Sequence, residues 1–222
     1  VANGHAAEAS AAVRPTLAEL KERKARNRQR IDHAEDVLTV SMGPQHPSTH
    51  GVFRAELDLD GEVLVAVRPE IGNLHRGVEK LCEHRTYHQI IPMTDRLDYI
   101  SSFAMNLGFC EAAEKLMDLE VPARGRYIRT IAAEMSRLAN HLLWLGIHVM
   151  DLGTQTFMVI CFRDREYVLD LFEMLCGARL THSFARLGGV AKDLPDGFEE
   201  RCRKVIEFIP KRVAEYERIV KH

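Results

Sequence analysis

The chain has 222 residues, 46% of them hydrophobic and 28% charged, with 30 basic side chains against 32 acidic ones. That is ordinary globular composition, enough for one large domain or two small ones. The near balance of charge excludes a globally basic nucleic-acid binder and an acidic disordered tail. Cys82, Cys110, Cys161, Cys176 and Cys202 form no CxxC, so a clustered zinc or iron–sulfur motif has no support in this chain. Their odd number, without a secretory signal, points to reduced thiols on the cytosolic side. The strongest apolar run free of Asp, Glu, Lys and Arg, Leu138–Met150, is well short of the ~20 residues a bilayer span needs, so any membrane association is expected to be peripheral.

In chain order, residues 1–35 read as a disordered, basic leader. Lys21 to Arg30 is a run of cations opposed only by Glu22, a solvated arm or one that docks on an acidic partner or lipid headgroups. Residues 36–70 read as a small antiparallel sheet. Val37–Val40 is a short strand, and Phe53, Ala55, Leu57 and Leu59 alternate with Arg54, Glu56 and Asp58. Asp60-Gly61 signals a hairpin turn before Val63, Val65 and Val67, and the sheet is expected to have one wet face. Between strands lies Gly43-Pro44-Gln45-His46-Pro47-Ser48-Thr49-His50-Gly51. Its prolines and flanking glycines predict a stiff loop that fixes two imidazoles.

From residue 71 to 222 the pattern is a helical bundle, with helices predicted at about 76–90, 98–118, 123–150, 163–177 and 198–220. Ile128, Ile131, Met135, Leu138, Leu142, Leu145 and Val149 form the core stripe of the third. The fold class is therefore α+β, a small N-terminal antiparallel sheet followed by a helical bundle. The chain opens on Val and stops within a charged helical pattern, which suggests a piece of a longer protein.

Several residues could carry chemistry. Glu134, Arg137, His141, His148 and Asp151 share one side of the third helix, whose second half is apolar enough to be read as buried on most sides. Asp151 near two histidines could handle protons, and equally could cap the turn into Leu152-Gly153. Asp98 suits an N-cap or first-turn anion. Tyr99 offers a hydroxyl beside a loop carrying His46 and His50. Arg76, Arg85 and Arg96 surround Glu79, Glu83 and Asp95, either as ordinary ion pairs or as a site for an anionic group. His84 and His88 are four apart and could grip a metal, but no metal-ligand motif is present. Gly188-Gly189-Val190 reads as a close backbone approach; without GxGxxG, a nicotinamide site on this chain has no support.

The loop Gly43–Val52 resembles the signature loop of the 49 kDa-type, or D-type, subunit family of NADH-quinone oxidoreductase, respiratory complex I. Ile71–Gly77, Glu79-Lys80, Glu83–Tyr87, Asp95–Tyr99, Glu134–Leu138, Gly188–Val190 and Asp193–Pro195 continue the resemblance in the family's order. They run from about residue 36 to 220, most of this chain and the N-terminal half of a family member.

The resemblance implies a quinone-site subunit of a proton-translocating NADH-quinone oxidoreductase. It would be peripheral on the cytoplasmic side of the bacterial inner membrane and partnered by subunits B, C, H and I. It implies that His50 and Tyr99, with His46, bind the quinone headgroup. Asp151 pairs with His50 and completes the catalytic set. Arg76, Arg96 and His182 lie near the terminal iron–sulfur cluster, which the B-type partner carries. Quinone is then the substrate, NAD(H) is used by the whole complex, and no metal or nucleic acid is held by this chain. The fold would be related to the nickel–iron hydrogenase large subunit, whose metal-binding CxxC pairs are lacking here. The family's cluster-linked histidine falls on Thr181, with His182 next to it. A hydrogenase-like metal enzyme and a non-catalytic assembly scaffold are the alternatives.

Overall fold

The structure, a computed structural model, describes residues 37–221 together with Ala18 and Glu22. The predicted leader at 1–35 otherwise lies outside the described residues. The chain divides into two compact units, residues 1–74 and residues 75–222.

In the first unit, strands β1 (Val37–Met42), β2 (Arg54–Asp60) and β3 (Val63–Glu70) form one antiparallel sheet in the order β1-β2-β3. Leu38 faces Leu59, and Leu57 lies between Val40 and Val67, so the apolar positions align across all three strands. The hairpin turns at Gly61-Glu62, one residue later than the Asp60-Gly61 signal suggested. Asp60 still pairs with Val63, and Gly61 takes the left-handed φ of +60° that the turn needs. The apolar face is open at its edges, with Leu38 64% exposed and Val67 47%, and closed at Ala55, 1%, while on the opposite face Asp58 is 3% exposed. Asp58 accepts from Thr39 Oγ1 at 2.7 Å and holds the Arg68 guanidinium with both oxygens. Arg68 also reaches Glu56 at 3.2 Å, and Arg54 reaches Glu70 at 2.7 Å. This ladder of interlocked charges is the ordered face of the unit.

The second unit is helical: α1 (Val78–Cys82), α2 (Tyr87–Thr94), α3 (Ser102–Met117), α4 (Ala123–Asp151), α5 (Gln155–Cys176) and α6 (Phe198–Lys221), with a two-stranded ribbon, β4 (Ala185–Arg186) and β5 (Gly189–Val190), before α6. The single helix predicted at 76–90 is two. Gly77 starts α1 in the left-handed region, and a fresh N-terminus forms at Thr86, whose N–H donates to Gln89 Oε1 at 3.1 Å. The helix predicted from 98 begins at Ser102. The helix predicted from 163 begins at Gln155, because α4 and α5 form a tight antiparallel pair across Leu152-Gly153-Thr154. Gly153 N donates there to Met150 O at 2.8 Å.

The main core joins Phe103 and Cys110 of α3, Ile128, Ala132, Met135 and Ala139 of α4, and Val168, Leu171, Phe172 and Leu175 of α5, closed by Phe184 and Phe198. Leu142, Val149, Phe157, Cys161, Ile209 and Tyr216 form a second cluster. In the predicted α4 stripe, Ile131 is the outlier, at 37% exposed.

Gly188 and Gly189 make the expected close backbone approach. Gly188 N donates to Glu114 Oε1 at 2.8 Å, and Gly189 O accepts from Arg129 Nε at 3.0 Å. Arg129 and Glu114 form a bidentate ion pair in the interior. Burial works against ionisation of Glu114, but Arg129 and the Gly188 amide outweigh it and hold the carboxyl below its usual range.

Candidate functional site

The loop after β1 is stiff; most of the bonds that brace it are local, and Asn73 Nδ2 adds a distant one, donating to Val52 O at 3.0 Å. Gly43 sits at φ +83°, and a Cβ there would lie 2.2 Å from Phe53 O, so only glycine fits. Pro47–Thr49 forms one 3-10 turn. His46 precedes it, and its Nδ1 accepts from Ser48 N at 3.1 Å, which leaves Nε2 as the protonated nitrogen of the neutral ring. Thr49 is buried, and its hydroxyl lies 2.9 Å from Pro44 O and 2.8 Å from His46 O. His50 follows at φ 51°, an uncommon conformation for a residue with a side chain, and its ring is exposed. The loop therefore presents two imidazoles from a backbone that cannot easily shift.

In the second unit, Tyr99 lies in the turn between α2 and α3 and is 42% exposed. Asp98 shapes that turn, its Oδ1 accepting from Ile100 N at 3.2 Å and Ser101 N at 3.4 Å. This is an Asx turn ahead of α3, not an N-cap at the helix start. Arg96 donates to Pro92 O, and Arg76 donates to Arg96 O. Both guanidinium groups thus brace the turn that carries Tyr99, and neither is drawn into the carboxylate pairing expected from the sequence; there the exposed pair is Lys80–Glu83.

Asp151 ends α4 and is exposed, as are His141 and His148. From Leu142 to Met150 the helix is buried or half-buried except at Trp144 and His148, so the open side is the one that carries the histidines. Trp144 is 58% exposed and stacks on His148 at 5.5 Å, and Glu134 pairs at the surface with Arg137 at 3.2 Å.

His182 is in the interior of the second unit. Its ring stacks on Phe172 at 3.8 Å, and Nδ1 lies 3.0 Å from Ser102 Oγ. Burial pushes its pKa down to about 4, so the ring is neutral at neutral pH.

No pattern in the sequence signals the polar interior that joins α3 to residues 182–186. Asn106 is buried and accepts from Ala185 N at 2.8 Å. Asp95, expected to take part in surface ion pairing, is instead fully buried with neither carboxylate oxygen hydrogen-bonded. Spacing alone cannot separate its burial from the exposure of Asp98, three residues on.

The buried thiols are inert in character. Burial pushes both Cys110 and Cys161 up to about 11, and all five cysteines are free. Among the described residues no group of three or more His, Cys, Asp or Glu side chains is arranged to hold a metal ion, and no helix is long and apolar enough to cross a membrane.

Residues 151–222 match the family model described as the 49 kDa subunit of respiratory-chain NADH dehydrogenase. The chain is 55% identical over 181 residues to the NADH-quinone oxidoreductase D subunit of Desulforamulus reducens, an alignment covering 82% of this chain and 50% of that protein. It is 50% identical over 182 residues to the corresponding protein of Geotalea uraniireducens, covering 82% of this chain and 47% of the relative. For the protein of the same name from Carboxydothermus hydrogenoformans the identity is 54% over 174 residues, covering 78% and 47% respectively. The chain spans about half the length of the curated relatives it matches. Across about four fifths of its length the chain is therefore similar to the N-terminal half of D-type subunits of NADH-quinone oxidoreductases, and its last third matches the 49 kDa subunit family model.

Proposed function

We propose that this chain is the quinone-site part of a proton-translocating NADH-quinone oxidoreductase. The observation that carries the reading is the similarity to D-type subunits across 82% of the chain, which takes in the whole braced loop 43–52. Two exposed hydrogen-bonding side chains, His50 and Tyr99, supply the chemistry.

Reducing a quinone to a quinol takes two electrons and two protons. The electrons come from an iron–sulfur cluster on the B-type partner, close to Arg76, Arg96 and the His182 segment. This chain's part is to hold the headgroup and deliver protons. Tyr99 donates its hydroxyl to one carbonyl oxygen of the headgroup. His50 donates to the other as an imidazolium, with His46 lining the same loop. Asp151 orients that ring and stabilises its charged form, as carboxylate–histidine pairs do elsewhere. When His50 gives up its proton, Asp151 is left without its counter-charge, and that electrostatic change is the first step of coupling to proton translocation.

In this reading NAD(H) is oxidised elsewhere in the complex, subunits B, C, H and I surround the chain, and the assembly sits on the cytoplasmic face of the bacterial inner membrane. The exposure of Tyr99 and the rigidity of the loop favour this over a scaffold role, for which neither is required.

The test is Tyr99→Phe in the assembled enzyme. Quinone reductase activity is expected to fall while assembly persists; unchanged activity overturns the reading. His50→Ala and Asp151→Asn should lower the same step non-additively, and independent additive losses would contradict their coupling.

A further inference from the structure

Asp95 is the most conspicuous buried group that the proposed chemistry leaves unused. It is 0% exposed, and neither Oδ1 nor Oδ2 has a hydrogen-bond partner. Two guanidinium groups lie within electrostatic reach, and both are committed elsewhere. Arg96 donates to Pro92 O, and Arg186 donates to the carbonyls of Ser183 and Ala185 and to Ser183 Oγ.

The other titratable groups around it offer no charge. Cys110 of α3 and Cys176 of α5 both feel Asp95, and burial keeps each a protonated thiol. His182, on the segment facing α3, is a neutral ring. The Ser183 backbone amide approaches the carboxyl without forming a hydrogen bond of good geometry. An ionised carboxylate so placed costs far more than a protonated one.

We propose that Asp95 is an internal proton-exchanging carboxyl that governs the 183–186 segment. Protonated, it leaves Arg186 clamped on the Ser183 and Ala185 carbonyls. Ionised, it draws the Arg186 guanidinium off those carbonyls and loosens the segment from the turn that carries Arg96 and Tyr99. The proton goes to solvent when the segment opens and returns when it closes, so no other reactant is needed. The inference does not depend on quinone chemistry, because it concerns only the interior of the second unit.

The direction of the effect follows from linkage. Burial pushes the Asp95 pKa up from 3.8 to about 6, against the pull of the Ser183 amide, Arg96 and Arg186. A raised acid favours the closed state when protonated, so closure is strongest below pH ~4 and is lost as pH rises to about 6. Between pH 5 and 7, opening of the segment should increase roughly tenfold if the open state restores the ordinary value.

The experiment is hydrogen–deuterium exchange with mass spectrometry on the full-length protein in the assembly it forms, corrected for the pH dependence of intrinsic exchange. In the unaltered protein, peptides covering 95–101 and 181–186 should lose protection roughly tenfold between pH 5 and 7. In Asp95→Asn that step should vanish, and in His182→Gln it should remain. A step that persists in Asp95→Asn, that disappears only in His182→Gln, or that is absent from the unaltered protein overturns the proposal. Should Asp95→Asn fail to fold, Arg186→Gln decides: with no guanidinium for the ionised carboxyl to draw off the Ser183 and Ala185 carbonyls, the step should be lost, and a step that persists unchanged contradicts the assignment.

Discussion

The histidine loop of the first unit and the polar interior of the second solve opposite problems. In the loop, the chemistry-bearing rings of His46 and His50 are exposed while the backbone beneath them is fixed by Gly43, Thr49 and the 3-10 turn. In the second unit, Asp95, Asn106 and His182 are buried among the side chains of α3 and the 182–186 segment, and their partners are incomplete. The first arrangement suits a group that must meet an incoming molecule without changing shape. The second stores groups whose protonation is tied to the packing around them. The contrast also predicts where substitutions hurt: backbone-level changes matter in the loop, and charge-level changes matter in the interior.

The largest effect should come from the interior ion pair. Glu114→Ala leaves Arg129 buried without its carboxylate and is expected to cost about 3–5 kcal/mol, read as loss of folded protein or a large drop in denaturation midpoint. If Glu114→Ala is as stable as the parent, water reaches Arg129 and the contrast between the two regions weakens.

Next is a pH effect at His182. The ring's pKa falls from 6.5 to about 4 on folding, so stability is full above pH 6.5 and is lost as pH falls towards 4. The loss amounts to about 3 kcal/mol. His182→Gln should remove that acid sensitivity in denaturant titrations at several pH values.

In the loop, Gly43→Ala forces a Cβ against Phe53 O at a positive φ. It should cost roughly 1–3 kcal/mol, read as a fall in the thermal denaturation midpoint. Thr49→Val removes the hydroxyl that braces Pro44 and His46, with an expected cost of about 1 kcal/mol in thermal denaturation. Smallest of all, Lys204→Ala breaks an exposed pair with Glu200 and should leave the melting temperature unmoved.

Much of the architecture is legible in the amino-acid sequence, because it rests on local rules. The Asp60-Gly61 signal and the two-residue alternation locate the hairpin to within one residue. The stripe from Ile128 to Val149 marks α4. The start of α5 is hidden because Gln155–Phe162 is apolar without helical contrast, and the α4–α5 turn depends on Gly153 and tertiary packing. The loop histidines and Tyr99 stand out as hydrogen-bonding groups on turns. The burial of Asp95 does not, since Asp95 and Asp98 differ only in which way the turn after α2 faces. In the second half of α4 the apolar run marks burial on most sides, but it does not reveal that Trp144 is 58% exposed on the remaining side.

The quinone assignment is most directly tested by photo-crosslinking the assembled enzyme with a photoreactive quinone analogue and mapping the labelled peptides. Label on peptides containing His50 and Tyr99, displaced by excess unmodified quinone, is the expected result. Labelling confined to other segments, or indifferent to competing quinone, would contradict it.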